Sequence, residues 1–405
     1  MTTSGSTTAT GRSPLTATDL EVDVHSLGFD GGAHLLIDRA LGAMAPGQRL
    51  GVTGTDPHLT VHLRAWARAH GHTLIDGGVV VRGDADDRRL VGAVRAGTVS
   101  SVSERAPRSW GLAARGALVE DGGPPLAVAD LDRRIEVWTD LAPKLYAQAA
   151  AGQWDPATAV DWTRPDLPEE VETAVIQVMT YLVENEQTAL MVPARFLGRI
   201  HPHFREVMQF LATQLADEAR HVEVFSRRAR LSGRPLGLSG AGGRASLQSL
   251  LDEPDWATAS FLLSVLGEGT FLSLLAFLDR WAPDPVTARI AHLTLQDEAR
   301  HVAFALGHLA EHVTADPGYR DRLRAATERR HDALAHSSGL ASAVHDSLVI
   351  LAAGSWEPQA ISIGWNRVKR LQSEMDEGRT RRLVRLGFSD AEAADLSALH
   401  TRNFM

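Results

Sequence analysis

Two spacings of apolar residues divide the chain. From about Asp19 to Gly83, short apolar runs alternate with amphipathic stretches. The runs LEVDV (20–24) and RLGVTG (49–54) read as strands, and residues 32–45 and 59–70 have helical spacing closed by Pro or Gly. HTLI and VVVRG follow as two more strands, separated by Asp76-Gly77-Gly78, a good hairpin signal. The pattern predicts a small α/β domain over 18–83, preceded by a polar, unstructured tail over 1–17 and followed by a linker over 84–126. Beyond Ala127, helical spacing runs almost to Met405, broken at 152–168 (GQWDPATAVDWTRPDLP) and at the Gly-rich passage 231–246. Neighbouring antiparallel helices need short connections and a crossover between pairs needs a long one. The Gly-rich passage suits the crossover.

The stretch from Ala257 to Leu278 is long and apolar enough to resemble a membrane span. Glu268 stands at its midpoint, where an unpaired carboxylate in lipid would be costly. A helix that is apolar all round also suits the middle of a protein bundle, and that is the expectation here.

Composition narrows the chemistry. Of 405 residues none is Cys, so disulfides, zinc–thiolate sites, iron–sulfur clusters and thiol nucleophiles are excluded. Any metal must be held by His, Asp, Glu or backbone oxygen. The formal charge of −9, with both signs interspersed, argues against a nucleic-acid surface spread over the whole protein. The first residues lack the apolar core of a signal peptide. The expectation is a cytoplasmic protein with no membrane or nucleic-acid partner.

The chemistry lies in an internal repeat. DEARHV occurs at 217–222 and again, identically, at 297–302. Glu186 lies 32 residues before Glu218, and Glu268 lies 30 residues before Glu298. The chain therefore holds two copies of one helix pair, with Glu on the first helix and Glu-x-x-His on the second. Residues three apart share a helix face, so Glu218 projects with His221 and Glu298 with His301. Those faces are otherwise apolar: Leu211, Leu215, Val222 and Phe225 surround the first pair. Glu186 shares a face with Met179, Leu182, Ala189 and Leu190, and Glu268 with Phe261, Val265, Phe271 and Leu275. Incidental surface charges would not fall on apolar stripes. Four carboxylates directed into an apolar interior repel one another, and two divalent cations would neutralise them. An all-oxygen and nitrogen ligand set suits iron or manganese better than structural zinc. Glu184 lies off this face and reads as solvated.

With this repeat, the sequence resembles the ferritin-like di-iron carboxylate superfamily over about residues 130–310. The resemblance implies a mainly α protein: a ferritin-like four-helix bundle over 127–310 with extra C-terminal helices over 311–405, preceded by the small α/β domain. It implies two iron ions, with Mn/Fe or di-Mn pairs left open. Glu186, Glu218 and His221 would chiefly serve one metal, Glu268, Glu298 and His301 the other, and at least one Glu would bridge. Asp217 and Asp297 match the family position that orients the ligand His of the opposite pair, with Arg220 and Arg300 pairing with buried carboxylates. The implied function is an oxygenase that uses O₂ to hydroxylate, N-oxygenate or desaturate a small organic molecule, supplied by an electron donor the sequence does not name. A ferroxidase or peroxide-handling protein is the alternative, and a homodimer is left open. Where radical-forming relatives have Tyr, this chain has Phe225 and Ala305, so a tyrosyl radical is not expected. The stretch from Leu20 resembles TusA-type sulfur carriers, but Phe29-Asp30 stands where that family has Cys-Pro, which excludes persulfide chemistry. His201 and His203 read as packing or capping residues of a helix connection. Arg329, Arg330, His331, Trp356 and Trp365, on the C-terminal helices, are candidates for lining a substrate pocket.

Overall fold

A computed structural model describes residues 17–334 and 342–399. The tail expected over 1–17 lies outside the described residues except for its last position. The chain divides into two compact units, one of residues 1–95 with 117–124 and the other of 96–116 with 125–405.

The first unit follows the alternating apolar runs. Strand β1 (Leu20–Asp23), helix α1 (Ala33–Gly42), β2 (Arg49–Thr53), α2 (Leu59–Ala69), β3 (Thr73–Ile75) and β4 (Val79–Val81) form a sheet of order β1-β2-β4-β3. β1 runs parallel to β2, which requires the α1 crossover, whereas β3 and β4 form an antiparallel hairpin. Gly77 and Gly78 turn it with φ of +80° and +77°, a conformation that favours glycine. Ile37, Leu41, Leu50, Leu63 and Val80 pack the helices on the sheet.

The second unit is helical. After α3 (Ala142–Ala151) come α4 (Glu169–Leu197) and α5 (Arg205–Arg230), joined by a short connection. His201 Nδ1 accepts from the His203 N–H (3.1 Å) and His203 Nε2 accepts from the Ser103 N–H (2.9 Å), so both histidines are structural. The Gly-rich passage is not wholly a loop: Gly240 opens helix α6 (Ala241–Leu251), because the run from Ala245 to Leu251 has enough apolar residues to pack against α4. Then follow the apolar helix α7 (Trp256–Trp281), which includes a π-helical segment over Phe261–Glu268, and α8 (Pro285–Ala315). Asp255 caps α7 through the Thr258 N–H and Asp284 caps α8 through the Thr287 N–H, both at 2.8 Å. Helices α9 (Tyr319–Leu334), α10 (Ser342–Ala353), α11 (Pro358–Arg385) and α12 (Asp390–Ala398) complete the unit.

Helices α4, α5, α7 and α8 form the bundle. α7 is long and apolar enough to cross a membrane, yet 78% of its most apolar stretch is buried within the protein. Around it pack α8, α11 and α4. A buried ion cluster ties α5 to α4 and to the start of α8: Arg228 donates to both Glu172 oxygens and to Asp284, each at 2.9 Å. Satisfying every arm of a buried guanidinium in this way offsets its desolvation.

Candidate metal centre

Each bundle helix delivers its acidic residue to one place. Glu186 lies in the middle of α4, Glu218 and His221 on α5, Glu268 at the end of the π segment of α7, and Glu298 and His301 on α8. None of the six is more than 4% exposed. Candidate ligand atoms of Glu186, Glu218, His221 and Glu298 lie within 4.8 Å of one another, as do those of Glu218, Glu268, Glu298 and His301.

Glu218 and Glu298 belong to both groups, and their two oxygens show why. Glu218 places Oε2 3.4 Å from His221 Nδ1 and Oε1 3.1 Å from His301 Nδ1. Glu298 places Oε1 3.2 Å from His221 Nδ1 and Oε2 3.3 Å from His301 Nδ1. Each carboxylate of a Glu-x-x-His pair thus offers one oxygen to each imidazole. Glu186 Oε2 joins the His221 group at 3.3 Å. Both Glu218 oxygens, Glu298 Oε1 and Glu268 Oε2 are buried without a hydrogen bond of normal geometry. Orphaned buried acceptors of this kind are rare in folded proteins and call for an ion or a donor.

The charges agree. Burial pushes the Glu186 and Glu268 carboxyls well above the usual range, and the Glu218 and Glu298 charges push them further. Burial would also raise Glu218, but the neighbouring His221 and His301 imidazoles outweigh it and hold the group low. So many ionisable oxygens in a dry interior fit a pair of cations.

The outer imidazole nitrogens are held from behind. His221 Nε2 lies 3.2 Å from Asp297 Oδ2, and His301 Nε2 lies 3.3 Å from Asp217 Oδ2. An Asp that accepts the Nε2 proton leaves the Nδ1 lone pair facing the carboxylate group, as a metal ligand requires. The two Asp are themselves clamped. Arg220 donates to Asp217 (2.5 Å) and Asp297 (3.2 Å), and Arg300 donates to Asp217 (3.4 Å) and also to Asp297. Two further donors escaped sequence reasoning: Trp154 Nε1 bonds Asp297 Oδ2 at 2.8 Å and Gln153 Nε2 bonds Asp217 Oδ1 at 2.9 Å. Both lie in the Pro/Gly/Trp break after α3, where no periodicity singles out a residue. Gln214, one turn before Glu218, reaches Glu268 Oε1 at 3.5 Å.

On the Glu186 and Glu268 side a narrow cavity, with room for little more than a water in this structure, opens beside the carboxylates. Its wall is mainly apolar, with Leu247 and Leu250 from α6, Leu263 and Phe271 from α7, and Asn185 and Thr188 from α4. The π segment shapes this side. The Gly269 N–H reaches back to Ser264 O, a five-residue step, and the Val265 carbonyl that an α-helix would give it accepts from Arg382 Nε at 2.8 Å. π turns are rare and concentrate at functional sites. Here the turn carries Glu268.

Two smaller expectations change. Glu184 is half-buried rather than fully solvated, and Trp356 and Trp365 are exposed at 58% and 44%, away from any cavity wall described above.

No family model matches the sequence, and no curated protein is similar enough to count as a relative. The fold is similar to that of an R2-like ligand-binding oxidase variant with an aerobically reconstituted Fe/Fe cofactor, at 17% identity and a TM-score of 0.50 over 62% of this chain and 95% of that one. A second variant of the R2-like ligand-binding oxidases, with an anaerobically reconstituted Mn/Fe cofactor, aligns at 20% identity and a TM-score of 0.47 over 62% and 95%. At such identities the likeness concerns the fold, and the fold is a ferritin-like helical bundle with a small α/β unit before it.

Proposed function

We propose that the chain is a non-haem di-iron oxygenase that uses O₂ to oxidise a small organic molecule, with a Mn/Fe pair as the other metal content its ligands would accept. The observation that carries this reading is the placement of Glu218 and Glu298, each with one oxygen toward His221 and one toward His301. Glu186 would complete the His221 site and Glu268 the His301 site. Bound there, a pair of redox-active cations would pass to O₂ the electrons that an external donor delivers and would supply the oxidising power that acts on the organic molecule.

The protein supplies the rest. Asp297 and Asp217 keep the imidazole protons on Nε2. Glu186 and Glu268 border the cavity, so a molecule held there lies beside the metal positions. Leu247, Leu250, Leu263 and Phe271 keep water out. An apolar cavity against the carboxylates favours an organic substrate over iron or peroxide as the sole reactant, which is what the ferroxidase alternative would require. The N-terminal unit has no thiol with which to act as a sulfur carrier, and we assign it no catalytic role.

The test is metal analysis of anaerobically purified protein, followed by O₂ uptake by the Fe(II)-loaded chain with and without candidate organic substrates. Two metal ions per chain and uptake that depends on an organic compound support the reading. Iron oxidation driven by peroxide, indifferent to organic compounds, would support the alternative.

A further inference from the structure

Helix α7 leaves the α-helical ladder just where it delivers Glu268, and a helix far along the chain takes up the loose end. The π segment ends at Glu268, and the Gly269 N–H turns back to Ser264 rather than to the Val265 carbonyl. A buried carbonyl left out of its ladder needs another donor. Arg382, on α11, provides it: its Nε donates to Val265 O at 2.8 Å, across 117 residues of sequence. The next carbonyl, of Leu266, takes the Thr270 hydroxyl at 2.6 Å, and Thr270 Oγ1 accepts in turn from Arg379 Nη1 at 3.2 Å. Two arginines one turn apart on α11 thus close the end of the π turn, one directly and one through Thr270.

Neither arginine stands there for its charge. Arg379 is buried, and its other partner is the Ser397 hydroxyl at 3.1 Å. Arg382 Nη2 is buried without a hydrogen-bond partner. Burial, with Arg379 and Arg381 beside it, pulls the Arg382 guanidinium down to about 9. Among the described residues neither Arg379 nor Arg382 forms an ion pair, whereas the buried Arg228 meets Glu172 and Asp284 together. A buried guanidinium without a counter-charge is unfavourable for folding. The backbone nevertheless makes room for Arg382. A Cβ on Gly269 would stand 2.6 Å from its Cζ, and a Cβ on Gly378 would stand 3.1 Å from its Nη1.

Without Arg382 the helix has a simpler arrangement open to it. Closing the turn would return the Val265 carbonyl to the Gly269 N–H and satisfy both groups within α7. It would also remove one residue of extra winding, turning Glu268 by about 100° around the axis relative to the turns before it. Displacing the wide turn along α7 would move Glu268 in the same way. In either case the carboxylate leaves the face on which it meets Glu218, Glu298 and His301. The geometry that presents Glu268 is the less regular one, and it depends on a donor from α11.

We propose that Arg382 is a positioning residue for Glu268: its Nε holds the π turn of α7 in register, and that register brings the Glu268 carboxylate to Glu218, Glu298 and His301. Arg379 supports the same turn through Thr270. The C-terminal helices thereby take part in the centre through α7, without supplying ligands of their own. The proposal rests on the metal-centre reading for its consequence, while the hold of Arg382 on α7 is independent of any metal.

The test compares two side chains that differ at the atom in question. Gln carries an N–H donor at the position of Arg Nε and Met carries a methyl group there, while both lack the guanidinium. In the full, metal-free chain, hydrogen exchange of the amides over 261–270 should be roughly 10-fold faster in Arg382→Met, the opening expected from one lost buried hydrogen bond. Arg382→Gln should exchange like the parent. In anaerobic titration, Arg382→Met should bind its second Mn(II) roughly 10- to 100-fold more weakly than the parent, and Arg382→Gln should restore that affinity. In a Glu268→Ala background Arg382→Met should cost no further affinity, because both changes act through one carboxylate. Unchanged exchange in Arg382→Met, equal effects of Met and Gln, or additive losses of affinity in the double variant would each overturn the proposal, the last by giving Arg382 a purely structural part. A parent that binds fewer than two Mn(II) would count against the metal-centre reading, and the exchange comparison would still decide whether Arg382 holds the turn.

Discussion

Asp297→Asn replaces one carboxylate oxygen with an NH₂ group and loads the consequence on one nitrogen of His221. Asp297 Oδ2 collects His221 Nε2 (3.2 Å), Trp154 Nε1 (2.8 Å) and Arg220 (3.2 Å), while Oδ1 takes Arg300. Asn has only one acceptor oxygen. Directed at the three-donor side, it turns its amide protons on the Arg300 guanidinium; directed at Arg300, it presents N–H groups to the imidazole and indole N–H. In either arrangement a donor faces a donor. The negative charge that makes His221 a better ligand is also gone, although the pair Arg220 and Arg300 keeps Asp217. Loss of such a contact typically costs 10- to 100-fold in metal affinity, or about 1.4–2.8 kcal/mol. Trp154→Phe removes one neutral donor from the same oxygen and should cost less, roughly 2- to 10-fold. The assay is anaerobic titration with Fe(II) or Mn(II) against a competing chelator, with circular dichroism to verify the bundle. Asp217→Asn should behave like Asp297→Asn but weaken the His301 site. Unchanged affinity in Asp297→Asn, or a larger loss in Trp154→Phe, would refute the role given to this carboxylate.

Three other outcomes follow from the geometry. Glu218→Ala should abolish loading of two metals, while Glu184→Ala, off the ligand face, should leave metal content and O₂ uptake near those of the parent; equal loss in both would refute the face assignment. Gly269→Ala would place a methyl group on the Arg382 guanidinium, so folding stability should fall by about 1–3 kcal/mol and metal content should drop as Glu268 shifts, both read on one preparation. His203, buried and beside Arg115, is held down at about 4 against an ordinary 6.5. Between those values the unfolded chain binds a proton that the folded chain refuses, so urea stability should fall as pH drops from about 6.5 toward 4, and His203→Gln should flatten that slope.

The candidate ligands were legible because two constraints coincide in them. A repeated Glu-x-x-His can arise on a solvated face, but Leu211, Leu215, Val222 and Phe225 around the first copy place it inside. The α/β unit was legible from alternation and from the Gly77-Gly78 turn. What stayed hidden has no local pattern. Trp154 and Gln153 reach the centre from an irregular segment 143 and 64 residues away from their partners. The π segment was masked because Phe261, Val265, Phe271 and Leu275 fit a helical stripe whether or not one residue is wound into a wider turn. Only the glycines on either side of Glu268 hint at it, and they make sense once Arg382 is seen against Gly269. The start of α6 was hidden by its composition: Gly240, Gly242 and Gly243 read as loop, and only packing against α4 makes them the first turn of a helix.

The two halves of the repeat are alike in their candidate metal ligands and different on the side of the cavity. Each supplies one Glu, one Glu-x-x-His, one Asp and one Arg, and the Asp of each half orients the His of the other, so neither half makes a site alone. On the opposite side the likeness ends. α4 carries Glu186 in a regular helical turn, whereas α7 carries Glu268 at the end of a π turn whose freed carbonyl is taken by Arg382. The crossover contributes α6 to this side, with Leu247 and Leu250 on the cavity and Ser246 and Ser249 on Arg330. The departures from the repeat therefore lie on the side of the cavity, where a substrate would have to be recognised.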